Sequence, residues 1–321
     1  MKKKISLNEV LQIQSAKQKA GETWAVSRLL LSILGLLSLL GLPASPAVAQ
    51  TPVKARLPKP DHIIVIIEEN KSYAQIIGSA AAPYLNGLAN QGASFSNFLS
   101  FHHPSQPNYI EIFSGSNQEI WNDTVPSAPL TVTSLGGALI KAGLSFIGYA
   151  EDLPRVGAMD IFYPKDKPSY ARKHCPWVDF ADVDPKFSQP LTAFPARYEE
   201  LPTVSFVIPN LWDDMHNGRD PQRITQADSW VQKHLSGYVE WAKTHNSLLI
   251  VTWDEDNHLR YSFARNHIPT IMVGPMVQPG VYPRAYNHHD LLRTIEDMYG
   301  LPALGKSKTA QAITDIWKKG P

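Results

Sequence analysis

The chain has 321 residues, with 30 Lys and Arg against 29 Asp and Glu and a formal net charge of +1. That balance excludes a nucleic-acid binder relying on a large basic excess, and 43% hydrophobic with 18% charged residues excludes a disordered or fibrous chain. A single cysteine, Cys175, rules out any intrachain disulfide.

The chain opens with a segment that reads as a secretory signal peptide, residues 1–49. Lys2, Lys3, Lys4 and Arg28 precede the apolar run Leu29–Leu42, too short for the roughly 20 residues that span a bilayer. Pro43 and the small-x-small signature Ala47-Val48-Ala49 follow. An uncleaved membrane anchor is the alternative. Cleavage removes six basic and two acidic groups, which lowers the net charge from +1 to −3. The expected product is secreted or periplasmic, without stable membrane insertion, and binds no nucleic acid. A Pro-rich leader, 50–60, comes next, and 61–321 are expected to form a single domain.

That domain begins with His62–Ile67, an uninterrupted β-branched run suited to a strand buried on both faces. A strand-like Ala93–Phe101 leads through His102-His103-Pro104-Ser105-Gln106-Pro107-Asn108 into a helical run, Tyr109–Phe113. A helical pattern over Thr133–Ala142 precedes a strand at Ser145–Tyr149. Residues 152–197, rich in Pro and aromatics without periodicity, read as a long insertion near a sheet edge. Strands at Thr203–Ile208, Ser247–Trp253 and Ile268–Val273 alternate with helices at Ala227–Thr244 and His289–Tyr299. The pattern predicts an α/β fold with a mostly parallel central sheet and helices on both faces.

Ligand sites in such sheets lie beyond the carboxyl ends of the strands. Here three strand ends carry acids: Glu68-Glu69-Asn70, then Asp213, Asp214 and His216, then Asp254-Glu255-Asp256. Converging carboxylates repel one another unless a cation sits among them. Oxygen and imidazole donors suit Zn, Mn, Fe or Ca. The plain alternative is that these acids cap helices and solvate loops. Ser105, between two prolines and ahead of a helix, is either a helix cap or a nucleophile facing an anion-binding helix end. No G-x-S-x-G elbow, P-loop or G-x-G-x-x-G turn is present.

The motifs Glu68-Glu69-Asn70-x-Ser72-Tyr73, His103-Pro104-Ser105-x-Pro107-Asn108-Tyr109, Lys173-His174-x-Pro176-Trp177, Asp214-Met-His216, Asp254-Glu255-Asp256 and Glu296-Asp297-Met-Tyr299-Gly300 follow in that order. Together they resemble the bacterial phosphoesterase family of acid phosphatases and non-specific phospholipases C, within the alkaline-phosphatase-like superfamily. The resemblance covers about 61–303. It implies that Ser105 is the nucleophile and that Glu69, Asp254 and Glu255 hold a divalent metal. Asp214 and His216 would hold a second metal or touch the phosphate. His267 would supply the remaining imidazole, as a catalytic group, with His288 as its competitor as a metal ligand. Asn70, Asn108, Lys173 and His174 would contact phosphate oxygens. One departure is Asp254-Glu255, where two-metal members carry Asp-His. Another is length, since the family's phospholipases C carry C-terminal extensions that this chain lacks.

The implied activity is metal-dependent hydrolysis of a small phosphomonoester through a phosphoserine, with His216 or His267 assisting the leaving alcohol. A phospholipase C-type phosphodiesterase is the alternative within the class. A non-catalytic secreted protein holding an anion or metal is the alternative outside it. The aromatic stretch Phe162–Phe180 either forms an apolar rim for a membrane or packs over the sheet edge.

Overall fold

The computed structural model describes residues 57–257 and 265–319. The expected signal peptide, most of the leader and His258 lie outside the described residues.

The run His62–Glu68 forms strand β1, and Ile63 through Glu68 are all buried. Five successive β-branched residues can bury both faces only inside a sheet covered on each side. The other strands of that sheet are β2 (Ala93–Phe95), β3 (Phe146–Ala150), β4 (Ser188–Pro190), β5 (Val204–Ile208), β6 (Ser247–Trp253), β7 (Thr270–Val273) and β8 (Gly280–Tyr282). Their order is β8-β2-β7-β6-β1-β5-β3-β4. Five of the seven neighbouring pairs are parallel, and β7 runs antiparallel to both β6 and β2. The mostly parallel sheet read from the sequence is therefore present, with a reversal on one side.

Five helices flank it: α1 (Pro83–Gln91), α2 (Ser105–Ser114), α3 (Leu135–Lys141), α4 (Gln222–Ala242) and α5 (His288–Tyr299). α1 packs on α4 and β7, while α2 packs on α3 and α5. Helix α4 starts five residues before its predicted first residue. Its opening turn is mostly polar, but the buried Ile224 is in phase with Ala227 and Val231 and extends the apolar face back toward Pro221. α5 starts where Asn287 accepts hydrogen bonds from the amides of His289 and Asp290.

Two expectations change. Ala93–Phe101 is not one strand: β2 joins the main sheet, whereas Phe98–Leu99 pairs with His267–Ile268 and Tyr286–Asn287 in a small separate sheet. Residues 152–197 are more than an insertion, because they supply edge strand β4 and a hairpin pairing Phe162–Tyr163 with Tyr170–Ala171. The aromatic stretch divides there. Tyr170, Trp177 and Phe180 are buried, while Phe162 and Tyr163 are exposed. Trp177 lies so tightly over β3 that a Cβ on Gly148 would come within 2.1 Å of its Cε2 atom.

Candidate active site

Strands β6, β1 and β5 are adjacent and parallel, so their carboxyl ends open on one edge. Backbone bonds tie these ends together. Glu69 N donates to the Asp214 carbonyl at 2.8 Å, and Asp254 N donates to the Glu68 carbonyl at 3.0 Å. Asn70 takes a left-handed conformation (φ 54°), which Asn tolerates better than most residues, and its N–H donates to Asp254 Oδ1 at 3.1 Å. Its side-chain amide donates to Glu69 Oε2. Glu68 is buried with neither oxygen hydrogen-bonded, and burial, reinforced by Asp214, pushes its carboxyl well above the usual range. Neutrality suits that position.

Helix α2 begins at Ser105 itself, with Pro104 before it as the N-cap. The Ser105 hydroxyl is buried within reach of two acceptors, Glu69 Oε2 at 2.9 Å and Glu255 Oε1 at 3.4 Å. The next amide, Gln106 N, donates to Asp123 Oδ1 at 3.1 Å, and Lys173 Nζ reaches the other oxygen of Asp123 at 2.7 Å. The helix start therefore already faces one carboxylate. Burial works against the Lys173 cation, but Glu69 and Asp123 outweigh it and hold its pKa above the usual lysine value.

His174 bridges two strand ends. Its Nε2 lies 3.0 Å from Glu69 Oε1 and its Nδ1 lies 3.2 Å from Asp214 Oδ2. Tyr109, one helical turn after Ser105, stacks on the imidazole at 5.0 Å between centroids. Burial disfavours the imidazolium, but Glu69 and then Asp214 overcome it and raise its pKa to about 9. His174 is thus a buried cation at neutral pH. Burial would raise the Glu69 carboxyl, but His174 chiefly, with Lys173, holds it well below the usual range. Asp254 moves the opposite way: burial, then Glu69 and Glu255, push it well above.

His103, two residues before Ser105, places Nδ1 2.6 Å from Glu255 Oε2. Sequence reasoning did not assign it a role, although it lies inside the same motif. Burial raises the Glu255 carboxyl to about 7, against the pull of His103. Burial lowers and Glu255 raises the His103 pKa, with a net upward shift. Tyr109, which closes that motif, was likewise given no role, and Asp123 was missed because a loop acid carries no local signal.

Other expected residues lie differently. His216 is near the bridge: its N–H donates to Asp214 Oδ1 at 2.8 Å, and its ring lies 5.8 Å from that of His174. His267 instead places Nε2 3.1 Å from the Ser96 carbonyl and stacks on Tyr73. His288 places Nε2 3.0 Å from the Trp253 carbonyl beneath Phe98 and Phe101, and burial drives its pKa down to about 3. Neither has a described contact with Ser105, Glu69 or Asp254. The Asn108 amide bonds the loop before Ser105. Its Oδ1 accepts from Ser100 Oγ and His102 N at 2.9 and 3.0 Å, and its Nδ2 donates to the His102 carbonyl at 2.9 Å. Together with a longer contact from Nδ2 to the Pro104 carbonyl at 3.4 Å, these bonds hold the 100–104 loop in front of Ser105.

Among the described residues no group of three or more His, Cys, Asp or Glu is arranged around a metal position. The donor chemistry nevertheless fits a divalent cation. Asp254 Oδ2 is buried without a hydrogen bond, Glu255 lies nearby against Ser105, and Glu69 Oε1 and Asp214 Oδ2 face the His174 ring. No helix among the described residues is long and apolar enough to cross a membrane.

A model of the Phosphoesterase family matches residues 79–302. A phosphatidylinositol-3-phosphatase of Mycobacterium tuberculosis is 43% identical over 303 residues, spanning 91% of this chain and 97% of that protein. A phosphate-repressible acid phosphatase of Penicillium chrysogenum is 29% identical over 69% of this chain, which spans 55% of the fungal protein. Among solved structures, an alkaline phosphatase superfamily protein from Vibrio parahaemolyticus matches the fold with a TM-score of 0.53 at 13% identity, over 80% of this chain and 71% of that one. The zinc complex of the C-terminal periplasmic domain of EptC from Escherichia coli matches with a TM-score of 0.51 at 12% identity, over 82% and 88%. With its alkaline-phosphatase-like fold and strand-end carboxylates around a buried serine, the chain belongs to the Phosphoesterase family and is a phosphate ester hydrolase.

Proposed function

We propose that the chain hydrolyses small phosphomonoesters, with Ser105 as nucleophile and a phosphoserine intermediate. The observation that carries this reading is the Ser105 hydroxyl, 2.9 Å from Glu69 and 3.4 Å from Glu255 at the first residue of a helix. Of the two acceptors, Glu69 stays ionised and is a weak base. Glu255, near neutrality and backed by His103, is the better one. The Ser105 proton passes to Glu255 as the Oγ–phosphorus bond forms and the bond to the leaving alcohol breaks. Lys173 and His174 place positive charge where the phosphoryl oxygens gather, and His216 protonates the departing alkoxide. Water then attacks the phosphoserine and restores the hydroxyl. Positioning and charge neutralisation account for most of the acceleration.

Glu69 and Asp254 are the residues to hold a divalent cation, Zn, Mn, Fe or Ca, with Asp214 nearby, which leaves Glu255 to take the serine proton. Such a cation would lower the pKa of the serine hydroxyl and offset charge on the phosphoryl group. The monoester preference draws on the Mycobacterium tuberculosis relative, whose name is that of a phosphatase rather than a phosphodiesterase. Export to the periplasm or medium rests on the leader sequence alone. Ser105→Ala should abolish release of p-nitrophenol from p-nitrophenyl phosphate while leaving the melting temperature unchanged. Wild-type turnover in that variant removes Ser105 from the mechanism. Exhaustive chelation should stop turnover and an added divalent ion should restore it; full activity after chelation removes the metal.

A further inference from the structure

Large hydrophobic side chains left in water tend to be scattered singly on a soluble protein, and a contiguous group marks a contact surface. Among the described residues nine are exposed, and five of them fall within one stretch of eight: Val156, Met159, Ile161, Phe162 and Tyr163, each 41–50% exposed. The stretch is held in shape. Phe162 and Tyr163 pair with Ala171 and Tyr170, and Arg172 N donates to the Ile161 carbonyl at 2.9 Å. The second strand of this hairpin runs directly into Lys173 and His174 of the active site. On its other flank, Ser169 accepts from Leu211 N at 2.7 Å, which brings exposed Trp212 alongside, two residues before Asp214.

Charge and shape select the occupant. In the turn of the hairpin, Lys165 and Lys167 are exposed around Asp166 for a net charge of +1, while Arg155 and Asp160 pair at 3.2 Å and cancel. Exposed aliphatic and aromatic side chains with two lysines in the adjoining turn, and a tryptophan nearby, suit the boundary between acyl chains and anionic headgroups. We infer that the 156–167 hairpin docks on the surface of an anionic lipid bilayer and presents the neighbouring Ser105 site to phosphate groups at that surface. This deepens the phosphoesterase reading and rests on it for its purpose, though the binding can be tested without turnover.

Vesicles of phosphatidylcholine, with and without phosphatidylserine, are mixed with the full chain, and amide hydrogen exchange is followed across 156–171. Protection should appear there with vesicles and increase with phosphatidylserine. The triple variant Ile161→Ser, Phe162→Ser, Tyr163→Ser should lose that protection, and its hydrolysis of a phospholipid monoester in vesicles should fall by about tenfold or more. Its hydrolysis of soluble p-nitrophenyl phosphate should stay at the wild-type rate, which also shows that it folds. Lys165→Glu with Lys167→Glu should remove the phosphatidylserine dependence. Unchanged exchange across 156–171 on adding vesicles overturns the proposal, and a concentration-dependent dimer would then assign the surface to a second copy. Docking without any turnover would sink the phosphoesterase reading and leave the docking surface standing.

Discussion

Glu111 offers a sharp test of how the loop before Ser105 is held. It is fully buried on α2, nearly two turns beyond Ser105. Its Oε2 meets His102 Nε2 at 2.5 Å, and its Oε1 meets His289 Nε2 at 2.8 Å and Lys306 Nζ at 3.0 Å. The clamp therefore joins the loop before Ser105 to the first turn of α5. Burial would raise the carboxyl, but hydrogen bonds from His102, His289 and Lys306 hold it well below the usual range. Glu111→Gln keeps the volume and one acceptor oxygen but removes the charge. Charge-assisted bonds contribute about 1.5–3 kcal/mol each, and the Lys306 contact is discounted because that side chain is 59% exposed. A loss of roughly 2–4 kcal/mol follows, which lowers the melting temperature of a domain this size by about 5–12 °C. A carboxylate with a depressed folded pKa stabilises fully above its unfolded value, near about 4.3, and loses that contribution as pH falls below it. Thermal melts by circular dichroism at neutral pH should show the gap, and melts below pH ~4 should show it closing. Equal melting temperatures at neutral pH, or a gap that widens in acid, would refute the clamp.

Two other perturbations probe the frame. Gly148→Ala forces a methyl into Trp177, which is fully buried and has no room to yield, so stability should fall by about 1–3 kcal/mol or more in urea titration. A soluble variant with an unchanged midpoint would show that β3 and the 172–178 segment are less tightly packed than described. Glu296 is buried against Ser307 Oγ and Leu304 N, and burial raises its pKa to about 7. A raised carboxyl favours folding below its unfolded value and loses that advantage as pH rises through about 7. Glu296→Gln should therefore flatten the decline in urea midpoint between mildly acidic and mildly alkaline buffer, and a variant as pH-sensitive as the wild type would count against it.

Much of the site was legible because its acids end strands. Glu69, Asp214, Asp254 and Glu255 each follow a β-branched or apolar run, and the rule that parallel strands deliver their ends to one edge needs no knowledge of loops. The prolines around Ser105 left it either a helix cap or a nucleophile; the helix starts at Ser105 itself, after Pro104. What stayed hidden depends on tertiary contacts. Asn108 looks like a phosphate ligand in its motif, but only the folded loop shows its amide bonded to Ser100 and His102. His267 and His288 carry the right chemistry, and their orientation toward the Ser96 and Trp253 carbonyls follows from the small second sheet, which no periodicity announces. His103 was adjacent in sequence, but its pairing with Glu255 depends on two distant segments meeting.

The division of the site between sheet and insertion has an evolutionary corollary. Glu69, Asp214 and Asp254 hang from strand ends that are cross-bonded through their backbones, so any length change inside β1, β5 or β6 disturbs all three together. The 152–197 segment reaches this ensemble through Lys173 and His174 and otherwise lies outboard. Insertions or exchanges of chain upstream of Tyr170 can thus accumulate without moving the strand ends that carry these three acids.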